Sequence, residues 1–295
     1  MAKKKFYRPI LYYLLIGVKT LFGLMPYRLG FWFGGMMGKL SFYILPRERK
    51  KTLTHLSFAF GESKSKNELR GIAETMFQNY GHMAAEWALI EKAIPRFKDL
   101  VSIEGREILD QALEKKKGVI AVVSHFGNWE WMGGWLALNG YQGGGVARKI
   151  YYEKYDQMIM SIRKRMNIKA IDRDSSPRTV LRALKQNCIM AFAVDQDVQT
   201  VDGIFVEFFG HPAFTPIAPV RFALATQAPM IPLFMLRNGM KHRIFVEAPI
   251  ELTETGDKEK DILLNTQKWV SIQETWIRQY PEQWVWNHKR WKTKL

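Results

Sequence analysis

A histidine and a glutamate, His125 and Glu130, directly follow a short apolar run at 118–124 (GVIAVVS). Runs of this kind, rich in Val and Ile, form strands that are buried on both faces. Open α/β sheets place their ligands at the carboxyl ends of such strands. Gly127 permits a turn after the strand, and Asn128 suits the N-cap of a following helix. In that arrangement Glu130 can accept the hydrogen of one imidazole nitrogen and leave the other basic, so we predict a His/Glu dyad that takes a proton from a hydroxyl.

The helix predicted to begin after Asn128 brings backbone N–H groups to the same place. Unpaired N–H groups at a helix N-terminus can stabilise an oxyanion or hold a phosphate. The alternative is that His125 and Glu130 are an ordinary satisfied polar pair. Their position at a strand end favours the functional interpretation.

Short apolar runs alternate with helical patterns along the rest of the chain. This alternation predicts an α/β fold with a mainly parallel central sheet flanked by helices on both faces. The predicted strands are 118–124, 145–147, 168–171, 188–194, 230–236 and 243–248, and the predicted helices are 66–91, 129–138, 151–166, 177–187, 216–226 and 257–280.

Two local signals mark predicted helix starts. Ser65 and Glu68 have the spacing of a capping box before the helix at 66–91. Thr215 and Pro216 are predicted to be the N-cap and first residue of the helix at 216–226.

Composition and charge narrow the function classes. Of the 295 residues 47% are apolar and 24% are charged, which excludes a disordered chain. A single cysteine excludes a disulfide scaffold and a cysteine-based metal site, and is typical of a reducing compartment. The net charge is +16, from 44 basic and 28 acidic residues.

Residues 1–50 are predicted to be a hydrophobic, basic membrane-associating segment that precedes the main domain at 51–295. Its apolar stretch at 10–25 has sixteen residues, fewer than the roughly 20 needed to cross a bilayer. Aromatic and basic residues alternate here, which favours helices lying in the headgroup plane against anionic lipid. The alternative is a hydrophobic helical hairpin packed on its own domain. No signal-peptide cleavage pattern is present, so we expect the segment to be retained.

The spacing of His125 and Glu130 resembles the H-x4-D/E motif of glycerolipid-type acyltransferases. The sequence HFGNWE at 125–130 resembles the version found in the bacterial lipid A biosynthesis late acyltransferases, the lauroyl and myristoyl transferases. The resemblance extends in the same order over most of the chain, from residue 53 to the end. The other similar motifs are VAR at 146–148, Arg163, DR at 172–173, VDQD at 194–197, FVEFFG at 205–210 and the C-terminal stretch 280–292.

The resemblance implies transfer of a fatty acyl group from acyl carrier protein to a hydroxyl of a lipid A precursor. It implies no metal, no cofactor and no covalent acyl-enzyme. His125 would deprotonate the 3-hydroxyl of an acyl chain on the glucosamine disaccharide, and Glu130 would orient the imidazole. The partners implied are acyl carrier protein, a glycolipid acceptor and an anionic membrane surface, but not nucleic acid, at the cytoplasmic face of the bacterial inner membrane.

Four further residues are predicted to bind substrate: Asn128, Arg148, Arg163 and Asp195. The two arginines suit a phosphate, an acidic sugar or phosphopantetheine, because a guanidinium fork matches phosphate geometry. Asp195 is expected to hold one of these arginines. The alternative for each arginine is a solvated surface charge.

Several other interpretations stay open. Asp195 and Asp197 have the D-x-D form by which glycosyltransferases hold a divalent metal, although an aspartate that caps a turn fits as well. The tail at 284–291 could stack on nucleic acid, but its spacing favours a helix that packs on the body, with His288 in the core. The acceptor could be another glycolipid, such as a mannosylated phosphoinositide, or a lysophospholipid. A non-enzymatic lipid- or nucleic-acid-binding protein is the remaining alternative.

Overall fold

The computed structural model describes residues 7–173 and 177–294. Lys3, Lys4 and Lys5, which contribute to the predicted basic segment, lie outside the described residues. The helices are α1 Tyr7–Leu24, α2 Tyr27–Ile44, α3 Pro46–Phe60, α4 Lys66–Ala88, α5 Ile90–Ala93, α6 Phe97–Leu100, α7 Arg106–Glu114, α8 Trp129–Leu138, α9 Glu153–Arg165, α10 Pro177–Lys185, α11 Ala218–Thr226 and α12 Lys258–Gln279.

The strands are β1 Val101–Glu104, β2 Val119–Val123, β3 Gly143–Ala147, β4 Lys169–Asp172, β5 Ile189–Ala193, β6 Gly203–Phe208, β7 His211–Pro216, β8 Met230–Asn238 and β9 Lys241–Val246. Seven of them form a sheet at the centre of the molecule, in the order β1-β9-β8-β2-β5-β3-β4. Its pairings are parallel except between β8 and β9. Helices cover both faces, so the predicted α/β fold with a mainly parallel sheet is confirmed.

The middle of the sheet positions the site. All five residues of β2 are buried, as expected for a Val/Ile strand covered on both faces. β2 and β5 run parallel with Val123 opposite Ala193. The segments that leave these two strands therefore emerge side by side.

The predicted start of the helix at 216–226 is wrong, because Thr215 and Pro216 belong to a separate antiparallel hairpin of β6 and β7. Thr215 pairs with Ile204 inside β7, and α11 begins only at Ala218, with Pro219 in its first turn. The cap signal of Thr215 fails because its hydroxyl donates to the Ala213 carbonyl within the hairpin. The Ser65 capping box, in contrast, is confirmed at the start of α4.

The C-terminal tail is not the predicted helix. α12 is followed by a 3₁₀ turn at Pro281–Gln283, and Trp284 then forms an isolated antiparallel bridge with Phe126. Pro281 cannot continue a helix because it lacks a backbone N–H. The buried rings of Trp284 and Trp286 pack edge to face, with centroids 4.8 Å apart, so the tail packs on the body as expected but through an irregular chain.

α1 and α2 follow each other at the N-terminal side of the described chain and expose many apolar side chains. One face of α2 packs closely on α4, where a Cβ on Gly34 would lie 2.7 Å from the Gly81 carbonyl oxygen. The two helices expose large apolar side chains elsewhere, among them Ile10, Leu14, Val18, Leu21, Leu24, Leu29, Trp32, Leu40 and Ile44. Among the described residues, no helix combines the length and apolar character needed to span a bilayer.

Candidate active site

His125 lies just beyond the carboxyl end of β2 and is held by Asp195, which lies just beyond the end of β5. Nδ1 of His125 is 2.7 Å from Asp195 Oδ1, and the backbone N–H of His125 donates to Oδ2 at 2.8 Å. Trp284 Nε1–H donates to the same Oδ2 at 2.9 Å. Asp195 is buried. Two of these three hydrogen bonds hold His125, through its ring and its backbone, and the third, from Trp284, fixes the carboxylate itself.

The predicted contact between His125 and Glu130 is corrected. Glu130 forms a two-point ion pair with Arg163, from Nε at 2.9 Å and from Nη2 at 2.5 Å. The partner differs because β5 lies beside β2, whereas Glu130 lies in the first turn of α8 and contacts α9. The expectation that Asp195 holds one of the two arginines is also wrong, because Glu130 is the carboxylate that binds Arg163.

The electrostatics of the pair favour one imidazole tautomer. Burial opposes a charge on Asp195, but the adjacent imidazole and the N–H donors hold the pKa of this carboxyl well below its usual range. Burial lowers the pKa of His125, and the Asp195 charge outweighs that effect, so the pKa lies above its ordinary value of 6.5. An ionised carboxylate only accepts hydrogen bonds, so Nδ1 carries the hydrogen and Nε2 keeps a free lone pair.

Three side chains surround the His125 ring. Gln196 Nε2 lies 3.2 Å from Nδ1 and 3.1 Å from Nε2. The two ring nitrogens form hydrogen bonds in directions that point apart in the plane of the ring, so a nitrogen equally close to both lies against the ring face and leaves the Nε2 lone pair available. Trp129 and His288 pack edge to face, with ring centroids 4.9 Å and 5.3 Å from that of His125.

None of these three neighbours was predicted as a site residue. Gln196 stands between the two aspartates of the D-x-D pattern, and the adjacency of β2 and β5 would have identified it. His288 was expected in the core. It is only partly buried, and its ring lies next to that of His125. Burial, and then the positive charge on His125, lower the pKa of His288 to about 4, so it is neutral at pH 7.

The turn that carries His125 depends on Gly127 and Asn128. Gly127 has a φ of 58°, and a Cβ there would lie 1.8 Å from the Met235 carbonyl oxygen. Asn128 caps α8 as predicted, since its side chain accepts from the Trp131 N–H at 3.2 Å. Asn128 is fully buried and its amide donates to Glu86. This side chain therefore shapes the turn, and Asn128 is not among the residues that line the cavity beside His125.

A cavity of about 790 Å³ begins at His125 and runs along the sheet. Its volume is in the range of small-molecule sites. Glu130, Arg148, Arg163 and Gln196 line it near His125, and most of the remaining wall is apolar, with small residues on the central strands. At Gly145 an added Cβ would meet no atom within 4 Å, so this strand position is open to the cavity.

The two predicted arginines line the same cavity from different elements of the fold. Arg163 is partly buried in its ion pair with Glu130, which raises the pKa of the guanidinium. Arg148 is exposed and follows β3. Both arginines line the cavity with His125 and Glu130. Four of the six predicted site residues therefore line one cavity, and a fifth, Asp195, contacts His125.

The two aspartates of the D-x-D pattern bind different groups. Asp195 holds His125, while Asp197 accepts from the backbone N–H groups of Lys292 and Thr293 and from the Thr293 hydroxyl. Asp197 therefore caps backbone N–H groups of the C-terminal segment, 95 positions further along the chain, whereas the alternative interpretation expected a cap on the turn that follows the aspartate.

A mainly parallel α/β sheet that holds a His125–Asp195 pair beside an apolar cavity suits an enzyme with an apolar substrate, and comparisons with known proteins identify the family. The chain belongs to the bacterial lipid A biosynthesis acyltransferase family, whose family model matches residues 1–293. Members of this family are transferase enzymes that move acyl groups.

Individual relatives are identical to the chain at about a quarter of the aligned positions. It is 26% identical to the lipid A biosynthesis lauroyltransferase of Escherichia coli (strain K12) over 287 residues, which cover 95% of this chain and 90% of the relative. It is 26% identical to lipid A biosynthesis acyltransferase 1 of Shigella flexneri over 278 residues, 89% of this chain and 78% of the relative. A phosphatidylinositol mannoside acyltransferase of Mycobacterium tuberculosis (strain ATCC 25618 / H37Rv) is 27% identical over 134 residues, 44% of this chain and 42% of the relative.

Proposed function

We propose that this enzyme transfers a fatty acyl group from acyl carrier protein to a hydroxyl of a lipid A precursor, with His125 as the general base. The observation that carries the proposal is the His125–Asp195 pair at the mouth of an apolar cavity. Asp195 fixes Nδ1–H and stabilises the imidazolium, while Nε2 faces the acceptor. Family membership supports the reaction class, and the cavity supports a long acyl chain as the transferred group.

The reaction needs one proton acceptor and one proton donor, and Nε2 serves as both. Nε2 takes the proton of the acceptor hydroxyl as its oxygen attacks the thioester carbonyl carbon. The tetrahedral intermediate then loses the thiolate as its carbon–sulfur bond breaks, and the imidazolium returns the proton to the sulfur. No covalent bond to the protein forms. Glu130 adds negative charge near the imidazolium and holds Arg163 at the cavity.

The positive side chains at the cavity suit an acidic donor. Arg148 and Lys149 are exposed where the chain leaves β3, and Arg148 lines the cavity. Acyl carrier protein is acidic, and charge complementarity of this kind speeds association. We propose that acyl carrier protein docks here, with its phosphopantetheine thioester directed towards His125.

We propose that α1 and α2 lie in the headgroup plane at the cytoplasmic face of the inner membrane. Their many exposed large apolar side chains support this, since a large exposed apolar surface marks an interaction site. The test is flotation with vesicles that contain anionic lipid. Leu14→Asp combined with Trp32→Asp should abolish flotation, whereas Leu263→Asp, at an exposed leucine on α12, should float like the wild type. If the double variant floats unchanged, the interfacial proposal is wrong.

The proposed reaction is tested by mass spectrometry of a defined acceptor after incubation with the purified enzyme. The donors are acyl carrier protein thioester and the matching coenzyme A thioester. The acceptors are a hydroxyacylated glucosamine disaccharide, a mannosylated phosphoinositide and a lysophospholipid. We expect the disaccharide to gain the mass of one acyl group, mainly with the carrier-protein donor.

A second acceptor is favoured by one specific observation, the similarity to a phosphatidylinositol mannoside acyltransferase over 134 residues. A mass gain on the mannosylated phosphoinositide alone would replace the lipid A precursor as acceptor and leave the mechanism intact. No mass gain on any acceptor would contradict the proposed transfer and favour a lipid-binding role.

A further inference from the structure

A buried ion network lies behind the turn that carries His125, and its centre is Glu86 in the last turn of α4. Glu86 is fully buried and accepts four hydrogen bonds. Arg237 donates from Nη1 and Nη2 at 2.6 Å each, His242 Nε2–H donates at 2.9 Å, and Asn128 Nδ2 donates at 2.7 Å. Three of these bonds come from the strands β8 and β9, and the fourth comes from the turn itself.

A second connection joins the same strand to the same turn. The Arg237 backbone N–H donates to Gln283 Oε1 at 3.2 Å, and Gln283 Nε2 donates back to the Arg237 carbonyl at 3.3 Å. The Gln283 carbonyl in turn accepts from the Gly127 N–H at 2.9 Å. The hydrogen bonds therefore close a ring that runs Gly127, Asn128, Glu86, Arg237 and Gln283.

Burial of the charged groups in this ring costs free energy, so a gain in the stability of the fold does not explain why the ring is present. Burial alone would keep Glu86 neutral, but the Arg237 charge holds the pKa of this carboxyl far below its usual range. Burial lowers the pKa of His242, so His242 is neutral and the network contains one charge of each sign. A buried ion pair is weak evidence for stability, since apolar residues of similar volume often serve as well or better.

The ring instead acts on the geometry of the turn. It fixes two consecutive residues, Gly127 and Asn128, directly after the segment that holds the imidazole. The imidazole has to keep a 2.7 Å contact with Asp195 while its backbone N–H keeps a second bond to the same carboxylate. A displacement of about 1 Å in such a site can cost roughly 10²-fold in rate.

We propose that Glu86 is a positioning residue of the active site, which acts through Asn128 to keep His125 in register with Asp195. The loss of kcat that this inference predicts rests on the proposed function. The effect on the position of the His125 ring does not. Neither Glu86 nor Asn128 is among the residues that line the cavity, so the effect of each is indirect.

The main test variant is Asn128→Ser. The serine hydroxyl still accepts from the Trp131 N–H and keeps the cap of α8, but it is too short to reach Glu86. The matched control is Asn265→Ser, because Asn265 is also fully buried and its amide donates to the carbonyls of Thr253 and Asp261, away from His125. Glu86→Gln is the second variant, with its folded fraction measured by denaturant unfolding.

We expect Asn128→Ser to lower kcat by about 10- to 100-fold and to leave KM for donor and acceptor within about twofold. A looser contact with Asp195 should also lower the pKa of His125, so the acid limb of the pH–rate profile should move to lower pH. Asn265→Ser should change neither kcat nor the limb. The pKa of His125 is also read directly, by titration of its Cε1–H resonance in the wild type and in Asn128→Ser.

The NMR titration separates this inference from the proposed reaction. If the wild type transfers no acyl group but Asn128→Ser lowers the pKa of His125, the proposed function fails and the positioning role stands. The positioning role is overturned if Asn128→Ser and Glu86→Gln behave like the control Asn265→Ser. That means an equal kcat per folded molecule, an equal acid limb and an equal pKa of His125.

Discussion

The replacement Asp195→Asn removes one charge from the buried carboxylate and keeps its shape. Oδ2 of Asp195 accepts two fixed N–H donors, the His125 backbone and the Trp284 indole, while Oδ1 accepts the Nδ1 hydrogen. An asparagine oxygen can occupy only one of these positions. Because two fixed donors face Oδ2, the amide oxygen should turn there and its NH₂ group should face the imidazole.

An NH₂ group that faces Nδ1 donates to it, so the hydrogen of the neutral imidazole moves to Nε2. Nε2 then has no lone pair with which to accept the hydroxyl proton, and the charge that stabilises the imidazolium is also lost. The corresponding change in a serine protease triad lowers kcat by about 10⁴-fold through the same tautomer effect. We expect Asp195→Asn to lower kcat by about 10³- to 10⁴-fold.

The assay is steady-state acyl transfer, followed by mass spectrometry of the acceptor lipid, at saturating donor and acceptor. The control is Asp197→Asn, two residues away, because Asp197 caps the turn at Lys292 and Thr293 and does not contact His125. Asp197→Asn should keep its rate within about fivefold. The reasoning would be refuted if folded Asp195→Asn kept more than a tenth of the wild-type kcat.

Three further predictions concern pH and chain length. The rate should rise with pH through an acid limb above 6.5, because the base must be neutral and the pKa of His125 is raised; a limb below 6 in a kcat profile would contradict this. Burial lowers the pKa of four histidines, His55, His82, His242 and His288, so these side chains bind more protons in the unfolded chain below pH 6.5. The urea concentration at the unfolding midpoint should therefore decrease as the pH is lowered from 7.5 to 5, and an unchanged midpoint would contradict this. Gly145→Val should fill part of the cavity and lower the rate with a long acyl donor relative to a short one by about tenfold or more, as donor competition would measure; an unchanged preference would show that the chain lies elsewhere.

The sheet was predictable because its strands are local patterns. The run at 118–124 is apolar and β-branched, and its burial on both faces follows from that composition. β1 was missed because its sequence, VSIE, is short and half polar, and its pairing with β9 depends on residues 140 positions away. The helix start at Thr215 was mispredicted because a hairpin partner outweighed a local cap signal.

The site was predictable in its residues but not in its contacts. His125 and Glu130 are close in sequence, so a direct contact was the natural expectation. Asp195 is 70 residues from His125, and only the order of the strands brings the two together. The Glu86 network could not be predicted either, because the sequence of an amphipathic helix does not indicate that one of its acidic residues is buried against an arginine on a strand.

The central claim is that the Nε2 lone pair of His125 removes the proton from the acceptor hydroxyl. The most direct measurement is the rate of acyl transfer for His125→Ala beside His288→Ala, since these two rings lie 5.3 Å apart. We expect His125→Ala to lose about 10²- to 10⁴-fold in kcat while it stays folded and membrane-bound, and His288→Ala to stay within about tenfold of the wild type. Equal losses in the two variants, or a His125→Ala enzyme that transfers as fast as the wild type, would contradict the account.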